Sequence, residues 1–305
     1  RSVWLHMASA VSVAPHGIRA VTAALDGSSA VVEVSTALTG TADSVTYELV
    51  DAEGQVLATA EGLGTVQLAA NGITPWTPET PALYTLRVTV TANGTADTAE
   101  QRIGIRTIQV SSKTGLLLNG QPRTMKGGCI HHDLGILGSA DHAAAERRRI
   151  RLMKESGFDA IRAAHNPFGP AFLDACDELG MLVVEEAFDE WVMGRTSFGL
   201  HVTFEQCWEK DLEDMITRDY NHPCIVMWST GNEVEERDGT ADGFAWAKRL
   251  ADKVRSLDAS RPVSATACAL FSEYGNRPAG GTTGNQALNM AYDTFAEGRD
   301  IWGPG

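Results

Sequence analysis

Four polar clusters in the sequence each close a short apolar run: His131-His132-Asp133, Arg162 with His165-Asn166, Glu185-Glu186 with Asp189-Glu190-Trp191, and Asn232-Glu233. Neighbouring carboxylates with imidazoles and a guanidinium are the equipment of general acid–base chemistry, where environment sets which group holds a proton. Asn232-Glu233 is the sharpest of them. The run Cys224-Ile225-Val226-Met227-Trp228 lies between Pro223 and Gly231 and reads as a strand buried on both faces. A carboxylate delivered at the C-terminal end of such a strand lies at the mouth of a parallel sheet or barrel. Glu235 and Glu236 fit the acidic first turn of a following helix.

Metal chemistry has less support in the pattern. His131, His165 and Glu190 carry ligand atoms, but no HExxH or Cys/His spacing accompanies them. Five cysteines occur without a CxxC pair, which argues against a zinc knuckle. Buried free thiols are the expectation and lean towards a reducing, cytoplasmic setting. His142, His201 and His222 read as helix, loop and turn histidines. A Trp among carboxylates, an Arg and histidines suits a sugar pocket, with a ring face for the sugar and polar groups for its hydroxyls. Arg162 suits an internal ion pair with Glu185 or Glu186 equally well.

Those clusters need a scaffold that brings strand ends together. From about residue 125 strands and helices alternate: strands over 125–130, 158–163, 181–187, 224–228 and 262–268, helices over 140–156, 170–179 and 204–220, and a helical stripe from Phe244 to Leu257. This order predicts a (β/α)8 TIM barrel, in which all four clusters share one mouth. A doubly wound sheet is the competitor, but no Gly-rich phosphate loop follows the first strand. A complete barrel takes about 250 residues. Only about five strands and the start of a sixth at Asp300-Ile301-Trp302 fit here, so the barrel is expected to be incomplete.

Residues 1–110 have a different texture. Period-2 runs such as Ala30–Val34, Val45–Val50 and Leu83–Val90, with turns at Asp26-Gly27, Glu53-Gly54 and Asn93-Gly94, predict an immunoglobulin-like β-sandwich. Residues 106–123 pass from it to the barrel domain of 111–305. With 305 residues, 43% apolar and 21% charged, the chain suffices for two cores. A net charge of −14 argues against nucleic acid and anionic membrane surfaces as partners.

Three long motifs, taken together, resemble glycoside hydrolase family two, the family of β-galactosidases, β-glucuronidases and β-mannosidases. They are Leu117–Pro122 through Lys126-Gly127-Gly128, Ile161–Pro167, and Asn221-His222-Pro223 through Asn232-Glu233. Trp76-Thr77-Pro78-Glu79 with Leu83-Tyr84 resembles the same family's sandwich domain. The resemblance implies that a leading jelly roll and the later barrel strands lie outside this sequence. It implies Glu233 as general acid/base, Asn232 as partner of the sugar 2-hydroxyl, and His131, Asp133, Arg162 and His165 as pocket residues, beside Asp189 and Trp191 from the third cluster. Glu190 matches a magnesium ligand of some β-galactosidases. The histidine expected two places later is Val192, so no cofactor is expected.

Double displacement with retention is the implied mechanism, on a β-glycoside and with a second carboxylate after the seventh strand. Ser272-Glu273-Tyr274-Gly275 resembles a nucleophile motif but follows the fifth strand, so the nucleophile is expected outside this sequence. The His131–Gly135 segment and Asn232-Glu233-Val234 lean towards a β-galactoside over a β-glucuronide or β-mannoside. A non-catalytic carbohydrate-binding or scaffold module is the other class these residues admit. The full-length protein is compatible with a homo-oligomer.

Overall fold

The computed structural model describes residues 5–264 apart from 112 and 239. Cys268, Glu273 and the expected sixth strand at Asp300-Ile301-Trp302 lie outside the described residues.

The first part is a two-sheet antiparallel sandwich. Its strands are β1 (Val13–Asp26), β2 (Ser29–Leu38), β3 (Ser44–Val50), β4 (Val56–Glu61), β5 (Val66–Ala70), β6 (Tyr84–Ala92) and β7 (Thr95–Ile103). They form sheets of order β1-β2-β5 and β4-β3-β6-β7. The period of two is visible in β6, where Tyr84, Leu86, Val88, Val90 and Ala92 point inward and the residues between them do not. Tyr84, Leu86, Val88 and Val90 pack with Val45, Tyr47 and Leu49 of β3 and with Val32, Val34 and Leu68 of the facing sheet. Asn93 and Gly94 both adopt positive φ, as a two-residue hairpin turn between Ala92 and Thr95 requires. Strands β4, β5 and β7 are less legible in the sequence. Edge strands such as β7 (TADTAEQRI) cover one face with small and polar residues, so the apolar alternation is diluted.

A small antiparallel sheet follows, made of β8 (Ile108–Ser111), β9 (Gly115–Leu118) and β10 (Gln121–Pro122), with Asn119-Gly120 again at positive φ in the turn. Then comes a parallel sheet of β11 (Gly127–Ile130), β12 (Ala160–Ala163), β13 (Leu182–Glu186), β14 (Ile225–Ser229) and β15 (Val263–Ser264). The crossovers are α1 (Ala143–Glu155), α2 (Pro170–Leu179), α3 (Phe204–Asp219) and α4 (Gly243–Leu257). Strand order β11-β12-β13-β14-β15 is strictly sequential and parallel throughout. A doubly wound sheet reverses direction at a switch point; a barrel keeps adding strands on one side. The partial barrel is therefore the architecture. Every residue of β14 is buried, as a strand covered on both faces requires.

Helix ends follow local chemistry. Pro170 opens α2, and Gly180 closes it in the left-handed region at φ 72°, its N–H donated to Cys176 O. A side chain at Gly180 would also collide with the Pro78 carbonyl, 2.3 Å from the Cβ position. The first barrel strand begins at Gly127 rather than Met125. The N–H of Lys126 is bonded to Asp159 Oδ1 at 2.6 Å, and Gly127 lies too close to Ala160 O for any Cβ.

Sandwich and barrel share buried contacts. Trp76 is fully buried in the barrel core and donates its indole N–H to Asp177 O at 2.9 Å. Arg106 donates to Pro223 O (3.1 Å) and Ile225 O (2.9 Å), meeting the chain as it enters β14. Burial pushes the Arg106 guanidinium down to about 9, with repulsion from Arg261 adding to it. Among the described residues, no helix is long and apolar enough to cross a membrane.

Candidate active site

Strand alternation decides which carboxylate faces the barrel mouth. Glu185 and Glu186 end β13 and point to opposite sides. Glu186, at 0% exposure, pairs with Arg162 of β12, lies 2.8 Å from Nδ1 of His165, and accepts from Ser229 Oγ at 2.8 Å. Burial pushes the Glu186 carboxyl up, against the pull of Arg162 and His165. Of the two partners open to Arg162 in sequence, the structure selects Glu186. Glu185 turns to the helix layer, where its Oε1 accepts the Phe168 N–H at 2.8 Å. Burial, followed by repulsion from Asp219, pushes the Glu185 carboxyl up to about 8.

From Arg162 a continuous network runs across the strand ends. Arg162 also donates to Asn232 Oδ1 at 2.9 Å, and Asn232 Nδ2 donates to Asp189 Oδ1 at 2.7 Å. Both bonds fix the orientation of the Asn232 amide. Asp189 Oδ2 pairs with Arg195, whose other arm pairs with Glu233. The Glu233 side chain is 30% exposed, so it is tied to the network while still reachable from solvent. His131, on the loop after β11, packs edge-on against His165, with ring centroids 4.9 Å apart. Asp133 is exposed on the same loop, whose carbonyls at His131 and Asp133 accept from Arg149 at 3.0 and 2.9 Å. The structure thus brings Arg162, His165, Asp189, Asn232 and Glu233 together, with His131 against them and Asp133 on the loop beside His131.

Trp191 requires a correction. It was expected to offer a ring face to a sugar, but it is fully buried and donates its indole N–H to Thr230 O at 2.8 Å. Its ring lies against Gly231, where a Cβ would stand 3.0 Å from Nε1. The ring thus packs against the segment that follows β14. Cys129 is likewise exposed rather than buried; Cys176 and Cys224 are buried, and all four described cysteines are free.

Arg195 is not singled out by the sequence, and His201 reads there only as a loop histidine. Arg195 and His201 lie in the irregular loop between β13 and α3, which carries no periodicity to mark them. His201 supports Glu190 at 3.0 Å, and Arg195 reaches Glu233. No sequence signal distinguishes Arg195 from a solvated loop cation.

The donor set does not suit a metal at Glu190. Its Oε2 accepts the Arg195 backbone N–H at 3.1 Å, and its Oε1 takes both the backbone N–H (3.1 Å) and Nδ1 (3.0 Å) of His201. Burial pushes the Glu190 carboxyl up, but these donors outweigh it and hold it below its ordinary range. A magnesium ion needs carboxylate oxygens facing it at about 2.0–2.1 Å, and these face N–H groups. A second group of ligand-type residues, Asp177, His222 and Cys224, gathers at the start of β14. Asp177 accepts from His222 Nδ1 at 2.6 Å and from the Cys224 N–H at 3.0 Å. Burial pushes the Cys224 thiol well above its usual range, which disfavours a thiolate ligand. The trio ties α2 to the turn before β14.

Residues 108–275 match the model of glycosyl hydrolases family 2, TIM barrel domain, and residues 17–106 match that of glycosyl hydrolases family 2. The chain belongs to glycosyl hydrolase family 2. Beta-galactosidase BoGH2A of Bacteroides ovatus is 34% identical over 87% of this chain and 36% of its own length. A beta-glucuronidase of Paenibacillus borealis is 31% identical over 80% of this chain and 42% of its own. The crystal structure of a family 2 member from Bacteroides cellulosilyticus superposes with a TM-score of 0.82 at 32% identity, covering 92% of this chain and 37% of that one. The chain thus spans less than half the length of these family 2 relatives.

Proposed function

We propose that this family 2 chain carries the acid/base half of a retaining exo-β-glycosidase site that hydrolyses O-glycosidic bonds, with a β-galactoside as substrate. One observation carries the reading. Glu233 leaves the end of β14 and is drawn by Arg195 and Asp189 into the network that holds Asn232 and Arg162. In this reading the Glu233 carboxyl protonates the leaving glycosidic oxygen while a second carboxylate, about 5–5.5 Å away, attacks the anomeric carbon. Glu233 then accepts a proton from the water that releases the sugar. The second carboxylate comes from outside residues 5–264. Asn232 presents its remaining N–H to the sugar 2-hydroxyl, and His131, His165 and Asp133 line the approach.

Relatives named as beta-galactosidase and beta-glucuronidase both support a β-glycoside; the galactoside assignment rests on the His131–Gly135 and Asn232–Val234 segments. The test uses full-length enzyme carrying this chain, assayed on nitrophenyl β-galactoside, β-glucuronide and β-mannoside. Galactoside turnover is expected to exceed the others, to fall about 10²- to 10⁴-fold in Glu233→Gln and to recover partly with azide. Unchanged turnover in that variant removes Glu233 from its role. Absence of turnover on any glycoside favours a binding module instead. The 305-residue chain alone is expected to show no appreciable hydrolysis.

A further inference from the structure

Within the loop from Ala187 to Thr203, Glu190 ties the residues on either side of its bend together, while Trp191 and Met193 bond it to the segment after β14. Glu190, only 5% exposed, gathers the backbone N–H of Arg195 and both the backbone N–H and the ring of His201. Gly199 is folded against the same carboxylate, so closely that a Cβ there would stand 1.8 Å from Oε1. Closing the loop in this way carries the Arg195 side chain back over the strand ends. Its guanidinium pairs with Glu233 on one side and Asp189 on the other. Two carboxylates from two strand ends would otherwise repel across this gap.

A divalent ion placed there would meet the same two carboxylates, but the position already holds a positive charge. Glu190, the neighbouring carboxylate, is turned to N–H donors, and the Val192 side chain carries no ligand atom. An arginine fork is suited to this task, because its five N–H groups bridge two carboxylates in fixed geometry and its charge is permanent.

We propose that the Arg195 guanidinium is the resident cation of this site, held over Glu233 and Asp189 by the Glu190-fastened loop and standing where a divalent ion would otherwise bind. Arg195 is a positioning residue: it acts through the two carboxylates it pairs with, fixing that of Glu233 relative to Asp189 and therefore to Asn232. The catalytic part of this role rests on Glu233 being the acid/base; the cation-site part does not.

The two parts have separate tests. For the cation site, Mn2+ alone is the probe, titrated into the 305-residue chain and followed by its EPR signal. Wild type is expected to bind it no better than an Asp189→Asn/Glu233→Gln double variant. Arg195→Ala is expected to bind it roughly tenfold or more tighter, since a like charge a few ångströms from the ion has gone. The gain should vanish when Glu233→Gln is added. Arg195→Gln, which keeps side-chain length without charge, serves if the alanine variant unfolds. Tight Mn2+ binding by wild type that depends on Glu233, or no gain in either uncharged variant, overturns the proposal.

For positioning, the full-length enzyme is assayed. Arg195→Ala should lower kcat about 10- to 100-fold with KM little changed, as expected where a charged hydrogen-bond partner is lost. Arg195→Lys should retain most of the rate. Added guanidinium should restore part of the alanine variant's kcat, and isosteric neutral urea should not. Equal effects of guanidinium and urea, or a lysine variant as impaired as alanine, overturn the positioning role. If the full-length protein hydrolyses no glycoside, the glycosidase reading fails alone, and Mn2+ binding still decides the cation site.

Discussion

Asn232 Nδ2 donates to Asp189 Oδ1 at 2.7 Å, joining the end of β14 to the segment that follows β13. The bond leaves one amide N–H of Asn232 for a ligand and decides where that hydrogen points. Asp189→Ala removes both this acceptor and one anchor of Arg195. In full-length enzyme it is expected to reduce kcat/KM about 10- to 100-fold, equivalent to losing about 1.5–3 kcal/mol of charged hydrogen bonding. Steady-state kinetics on the nitrophenyl glycoside check this, with Asp189→Asn expected to lose less.

Arg162 and Glu186 form a pair whose carboxylate is wholly buried. Removing one member strands the other's charge. Arg162→Met is expected to destabilise the chain by about 3 kcal/mol, because the buried Glu186 carboxylate loses its permanent countercharge and keeps only His165 and Ser229. Adding Glu186→Gln should recover most of that loss. A double-mutant cycle by chemical denaturation reads the coupling, and additive effects would contradict it.

Glu185 gives the chain a pH-dependent stability. Its carboxyl is raised from 4.5 to about 8 by burial and by Asp219. The folded chain therefore holds a proton that the unfolded chain has lost, and this contribution is complete below the unfolded value and is lost as pH rises through the folded one. Glu185→Gln mimics the neutral acid and can still accept the Phe168 N–H. It should match wild type in Tm at about pH 4 and exceed it at about pH 9. A constant difference across that range would contradict the assignment.

Trp76 couples the two domains through packing, its indole bond to Asp177 O and the Asn119 side-chain bond to its carbonyl. Trp76→Ala is expected to cost about 3–5 kcal/mol as a buried large-to-small change. Trp76→Phe, which keeps a ring but loses the donor to Asp177 O, should cost about 1–2 kcal/mol. Calorimetry should show sandwich and barrel melting as one transition in wild type and separating in the alanine variant.

Much of the candidate site is legible in the sequence. Asn232, Glu233, Arg162 and His165 stand at the ends of apolar runs, and a short buried strand leaves little freedom in where its last residues point. The Asn-Gly turns and the helix bounded by Pro170 and Gly180 were equally plain, because those residues act on the backbone they belong to. Strand β7 was hidden because an edge strand needs little apolar surface. Trp191 was misplaced because composition shows an aromatic beside carboxylates and says nothing of which side of the strand end it packs on.

The sequence by itself determined the alternation of strands and helices and the polar tips they deliver, since both follow from local periodicity and backbone preference. Only the tertiary structure decided that Glu186, not Glu185, meets Arg162, and that Arg195 reaches across to Glu233. Those pairings join residues distant in sequence, and their energy exists only once neighbouring strands have brought the charges within a few ångströms.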